Sequence, residues 1–320
     1  MNPRLTVIST AKRGWFSRAD ARATGYSEEQ IRQRLRTGQW VRLARDAYVE
    51  PASWPADEQQ WDHDQRLHLL RIRAALGRLG PTAVASHQSA AVLHGLPTWN
   101  LDLTKAQATK PAGRTRSDAA IEIHRGPIDP DEIVEVDGLR VVTPARAVAE
   151  LACTSSYEVG VVLADAALHR GLATPDELVE MADRHHFWPG SPAARSAARF
   201  ANGLSESVGE SRLRVLAANH GLPSPQLQVK IFEADGRLIA RVDALLADVL
   251  VVEFDGATKY GDGEAVVGEK WREDRLRARG YQVVRVGWAD LDRPSVTARR
   301  LWQGLERASA SGGSHTQRWA

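Results

Sequence analysis

Residues 237–256, RLIARVDALLADVLVVEFDG, decide how the last third of the chain is read. They hold two apolar runs, 237–246 and 249–255, each interrupted by acid: Asp243 in the first, Glu253 and Asp255 in the second. Residues two apart on a strand share a face, so Glu253 and Asp255 project together while Val252 and Phe254 enter the core. A three-residue loop at 247–249 pairs Leu246 with Leu250 and sets Asp243 directly opposite Glu253. Like charges facing across a ladder are destabilising. A cation between them removes that cost, and hard oxygen donors favour Mg²⁺ or Mn²⁺. The plain alternative is a set of exposed edge carboxylates.

Outward from this hairpin, the pattern predicts a helix over 206–220, a β run at 227–233, a charged helix over 265–279, a strand at 281–286 and a last helix over 294–309. Helix, β-meander, helix, strand, helix describes a mixed sheet with helices on its faces. Residues 201–305 resemble the PD-(D/E)xK nuclease superfamily, in its very-short-patch-repair-like branch. The resemblance is carried by Glu210, Asp243, Glu253-Phe254-Asp255-Gly256, Trp271-Arg272-Glu273-Asp274-Arg275 and Gly280–Val286.

That resemblance implies a restriction-endonuclease-like mixed sheet and a metal-dependent endonuclease. Asp243 and Glu253 would ligate Mg²⁺ or Mn²⁺, and Glu210 would bind the ion through water or order the site. Products would be a 5′-phosphate and a 3′-hydroxyl. Asp255 occupies the position of the usual lysine, a departure for which Lys259 is the obvious substitute and Lys270 a weaker one. Arg272, Asp274 and Arg275 are expected either to contact phosphate or buttress the site, or to form local ion pairs on a solvated helix. The zinc cluster of mismatch-repair members cannot form, because Cys153 is the sole cysteine.

The other end of the chain reads as helix, helix, hairpin. Ser17 caps a short helix ending at Gly25, and Ser27–Gln30 matches the S-x-x-Q capping box of a second. Gly38 stops that helix, and β runs at 40–43 and 47–49 turn near Arg45-Asp46. This order predicts a winged helix-turn-helix. Residues 1–50 carry ten Lys/Arg against five Asp/Glu, a surplus that attracts a polyanion.

Between these ends, helices are expected over 61–79, from 87 behind a Ser86 cap, from Thr143-Pro144, and over 157–170 and 175–185. Strands are expected at 101–104, 120–125 and 132–142, the last folded at Asp137-Gly138. Trp188–Pro192 reads as a linker. The histidines, including His87 and His185-His186, suit structural or surface roles.

Three blocks carry a second resemblance: residues 14–49, SHQSAAVLHGLP at 86–97, and VVTPARAVAELA at 141–152 with DAALHRGLATPDEL at 165–178. They resemble the antitoxin of the abortive-infection AbiE toxin–antitoxin type. The resemblance implies DNA as a partner, a toxin-like protein as a second partner, and Arg32, Arg34, Arg36 and Arg42 on the nucleic-acid face.

Length and composition frame the whole. A chain of 320 residues suggests two domains, or three if one is small. A 43% hydrophobic composition excludes wholesale disorder. No apolar run approaches the ~18 residues of a membrane span, and the first residues lack a secretion signal. The expectation is therefore a cytoplasmic α+β or α/β multidomain protein with no membrane partner. Its parts are a winged helix (1–55), a mixed α/β middle domain (56–200), a nuclease-like domain (201–309) and a disordered tail (310–320). A non-enzymatic DNA-binding antitoxin or repressor with a degenerate nuclease fold is the alternative function, and the oligomeric state stays open.

Overall fold

The computed structural model describes residues 1–51, 54, 59–256 and 263–310, leaving aside the side chains of 263–267 and 269. Lys259 and the tail from 311 onward lie outside the described residues. Among the described residues the chain is a mixed α/β molecule with three sheets, and it falls into two compact units. One unit is Met1–Gly160 with Leu172–Ala198; the other is Val161–Gly171 with the chain from Arg199 onward.

The first unit opens with α1 (Pro3–Ala11), a helix additional to those the sequence pattern predicts. Asn2 caps it by accepting the Leu5 N–H, and Pro3 occupies the first turn. Then come β1 (Phe16–Ser17), α2 (Arg18–Ala23), α3 (Glu28–Arg36), β2 (Val41–Ala44) and β3 (Ala47–Val49). Both expected capping residues work as read: Ser17 with Asp20 and Ser27 with Gln30 each form a reciprocal box. The sheet order is β1-β3-β2, all antiparallel. Its core gathers Leu5, Phe16, Ala21, Ile31, Tyr48 and the fully buried Trp40. Phe16 and Tyr26 both meet the Trp40 indole edge to face, at 4.7 and 5.0 Å.

Helix α4 (Gln60–Leu79) lays Leu70 and Ala74 against Trp15, Leu43 and Val49, so the first fifty residues share a core with this helix. A six-stranded mixed sheet comes next, from β4 (Val84–Ala85), β5 (Ala106–Lys110), β6 (Arg116–Ser117), β7 (Ile121–Arg125), β8 (Ile133–Val136) and β9 (Leu139–Val142), in the order β6-β7-β5-β4-β9-β8. The hairpin at Asp137-Gly138 is as read, with Val136 paired to Leu139.

Three local readings are corrected. No strand forms at 101–104: the Asp102 carboxylate accepts the Thr104 N–H at 2.8 Å, a local turn that competes with a ladder. Ser86 precedes α5 (His87–Leu93) without capping it, because its hydroxyl bonds to Thr109 and His87. Glu150 does that work, accepting the His87 N–H at 2.8 Å.

Trp188–Pro192 is no linker but a packed turn that runs into helix α9 (Ser191–Phe200). The Trp188 ring stacks on His185 at 3.9 Å, and a Cβ on Gly190 would overlap the Cys153 carbonyl. Behind it, α6 (Pro144–Thr154) and α8 (Pro175–Arg184) are tied by a buried network. Arg146 pairs with Glu132 and Glu150, and His185 with Glu132 at 2.9 Å. The whole network lies away from water, and removing one partner would leave a buried charge alone.

The second unit takes its first turns from the end of α7 (Tyr157–His169), where the buried Asp165 pairs with Arg214 at 2.6 Å. Arg214 lies on α10 (Val208–Asn219). Strands β10 (Gln226–Phe232), β11 (Leu238–Leu246) and β12 (Leu250–Asp255) run antiparallel in sequence order. Helix α11 (Gly263–Ala278) then crosses to β13 (Gln282–Gly287), which lies parallel to β12. The short α12 (Trp288–Leu291) and α13 (Pro294–Ala310) come last.

One face of this sheet packs Val252, Val284 and Val286 against Leu213 and Leu301 of α10 and α13. The other packs Val251 and Leu245 against Leu276 of α11. The mixed sheet with helices on both faces is therefore as the pattern predicts.

Candidate functional site

Glu210, Asp243 and Glu253 of the second unit lie on α10, β11 and β12, where the helix packs on the sheet. Strands β11 and β12 pair Leu246 with Leu250, Leu245 with Val251 and Ala244 with Val252, the register expected from the sequence. Asp243 and Glu253 are the next positions along. There the pairing changes character: the Asp243 carboxylate accepts the Phe254 N–H at 2.8 Å, a bond from side chain to backbone. Glu253 has its own basic neighbour, because parallel pairing sets Arg285 of β13 beside it, with Nε 4.0 Å from the carboxylate. Arg285 also binds Glu273 of α11 at 3.0 Å.

Glu210, in the first turn of α10, is 6% exposed. One oxygen accepts the Ser207 hydroxyl at 2.8 Å; the other accepts the Gln228 amide at 2.8 Å and the Glu206 N–H at 3.0 Å. Burial raises its carboxyl above the ordinary carboxylate range. The Asp243 charge pushes the same way, against the Ser207 and Gln228 bonds that favour the anion.

Asp255 is exposed and faces Gly287 in the β12–β13 register. Beside it, the Trp288 indole donates to the Gly256 carbonyl at 2.9 Å. Arg272 is exposed on α11, as is Lys270, while Arg275 is held by Glu233 at 2.9 Å.

Among the described residues, no three His, Cys, Asp or Glu side chains form a ready-made metal cage. Asp243 and Glu253 offer the all-oxygen donor chemistry that Mg²⁺ and Mn²⁺ take. Glu210 has both oxygens in protein hydrogen bonds, which is compatible with ordering the site or acting through water.

Sequence reasoning missed Gln228 and Arg285 here. A signal for Gln228 was available: Asp235-Gly236 marks a hairpin, and counting outward from that turn places Gln228 opposite Asp243.

In the first unit, Arg32 and Arg36 lie four apart on one exposed face of α3, and Arg42 is exposed on β2. Arg45, at the hairpin tip, is 85% exposed in its side chain and was not singled out from the sequence. Arg34 departs from the expected face. Its guanidinium lies over Tyr26 and Trp40, 5.2 and 5.5 Å from the ring centroids, and bonds to Gln39 at 3.0 Å. Two residues on from Arg32, it points to another side of the helix and caps the aromatic core.

Residues 8–51, the segment that holds this basic face, match the family described as transcriptional regulator, AbiEi antitoxin. That segment is similar to the AbiEi antitoxin type of regulator. Two proteins of Mycobacterium tuberculosis strains, MT2308 and Rv2248, both described as uncharacterized, are each 28% identical to the chain over 246 residues. The aligned region covers 76% of this chain and 89% of each relative. Among the described residues, no helix is long and apolar enough to cross a membrane.

Proposed function

We propose that this chain is a DNA-binding regulator whose first fifty residues act as a winged helix. In this reading α3 enters the major groove and the β2–β3 hairpin is the wing along the backbone. The exposure of Arg32, Arg36, Arg42 and Arg45 on the domain that matches the antitoxin family carries the reading. These side chains would neutralise phosphates and release counterions, so affinity for duplex DNA should fall steeply as salt rises. A binding isotherm with no salt dependence would refute it. A toxin-like protein as partner and a cytoplasmic location belong to the same reading.

The acidic row supports a second activity, phosphodiester hydrolysis. What favours it is Asp243 on the Phe254 N–H with Glu253 one strand over and the buried Glu210 close enough to feel the Asp243 charge. Asp243 and Glu253 would hold Mg²⁺ or Mn²⁺, which supplies Lewis acidity at the scissile phosphate. Glu210 fixes the α10 side of the site, Asp255 adds negative charge at the strand end, and Arg272 is exposed where it can meet a phosphate. Incubation with duplex, branched and single-stranded DNA and with RNA, with either ion and with chelator, tests it. Cleavage that chelator stops supports hydrolysis. Intact substrates throughout leave the regulator reading alone.

A further inference from the structure

Gln228 has a left-handed backbone, φ 53°, inside strand β10 and away from any turn. A side chain disfavours that conformation, which persists where the surroundings over-determine it. The pairs Leu227 with Ala244 and Val229 with Val242 place Gln228 opposite Asp243. At this row both strands change sides. Leu227, Ala244 and Leu246 pack with α10, whereas Val229, Ile231, Ala240 and Val242 pack with Leu276 of α11.

The turned residue delivers one polar contact. Its amide donates to the Glu210 carboxylate at 2.8 Å, on a side chain otherwise shut away from water. Extended backbone at this position would send the side chain in a different direction and leave that carboxylate one donor short. We propose that Gln228 is a positioning residue of the acidic site. Its strained backbone aims the amide at Glu210 and holds that carboxylate in place. The proposal rests on the hydrolytic reading for its purpose, and its geometry is testable apart from it.

The test compares the full-length chain with Gln228→Gly and Gln228→Ala. Both variants remove the amide, but only glycine accepts the left-handed backbone freely. Two readouts need no catalysis: thermal unfolding, and the Glu210 carboxyl titration followed by NMR on glutamate-labelled protein, with Glu210→Gln assigning the signal. Gln228→Gly should melt above Gln228→Ala, because alanine inherits the strain and glycine does not. The Glu210 midpoint should rise in both, since its anion loses a donor.

An unchanged Glu210 midpoint, or a glycine variant that melts no higher than the alanine one, overturns the proposal. A wild-type chain that cuts nothing with Mg²⁺ or Mn²⁺ sinks the hydrolytic reading, and the two readouts still decide Gln228. If wild type cuts, Gln228→Gly should lower kcat by about 10- to 100-fold with little change in KM. An equal kcat overturns the positioning role.

Discussion

The ring of Phe254 fills the space that a side chain on Gly209 would need. This close approach seats the first turn of α10 on β12 and brings Glu210, the next residue, to the acidic row. Phe254 holds that row from both sides, because its backbone N–H is the donor to Asp243.

Gly209→Ala should therefore act on stability and site together. The added methyl meets an aromatic ring with no flexible end to give way, so a loss of about 1–3 kcal/mol is expected from overpacking. Urea unfolding measures it. A neutral substitution would show that α10 does not rest on Phe254 in solution.

On the basic face, the structure separates arginines that a linear reading groups together. Replacing Arg32, Arg36 and Arg42 with Ala should flatten the plot of log affinity against log salt by a slope of about 2–3, near 0.9 for each lost phosphate contact. Arg34→Ala should leave that slope unchanged and lower stability by about 0.5–1 kcal/mol, through loss of its contacts with Tyr26 and Trp40. Fluorescence anisotropy across a salt series and thermal melts distinguish the two. If Arg34→Ala changes the slope as the triple variant does, the division is wrong.

The Phe254 bond also changes what removal of Asp243 should do to the metal-free protein. Relief of repulsion alone would leave stability level or higher. Asp243→Ala instead strips the acceptor from a strand N–H, at a cost of about 1–3 kcal/mol. Asp243→Asn keeps an acceptor and removes the charge, so it should fold nearly as wild type and fail in any metal-dependent cleavage. Glu253→Ala should likewise fail in cleavage. Wild-type cleavage by Asp243→Asn would remove Asp243 from the site.

One fully buried and one half-buried histidine set an acid limit on the first unit. His68 is fully buried, with its ring nitrogens 2.8 Å from the Leu103 carbonyl oxygen and 3.1 Å from the Ser89 hydroxyl. Burial lowers its pKa to about 4. His124 is also lowered to about 4, by burial first and then by His87, whose ring stacks on it at 3.9 Å. The unfolded chain, with histidines near 6.5, binds protons in this window that the folded chain refuses. Stability is thus full above pH 6.5 and falls as pH drops toward 4. His68 alone accounts for a loss on the order of 3 kcal/mol. Denaturant titrations at pH 7, 5.5 and 4.5 read this directly, and His124→Gln should lessen the loss. Equal stability at pH 7 and 4.5 would contradict neutral His68 and His124 rings in the fold.

The sequence by itself determined most of the helices and the strands of the second unit, while α1, β1 and β4–β6 emerged only in the structure. Capping boxes at Ser17 and Ser27 work as read because each bond closes within four residues. The Leu246–Leu250 register was also legible, since a short loop leaves little choice in how its flanks pair. Tertiary structure decided what the charged and polar side chains face. Glu150 serves as the α5 cap from sixty-three residues away, and Trp188–Pro192 is locked by Cys153 and His185. Arg34 turns to the aromatic core while Arg32 and Arg36 face solvent. The same holds for Gln228, whose left-handed backbone lies at the row where β10 and β11 change faces. Local signals arise from neighbours along the chain, and the chain alone supplies them. The direction of a side chain depends on backbone turns and on partners from remote elements, which exist only once the units have packed.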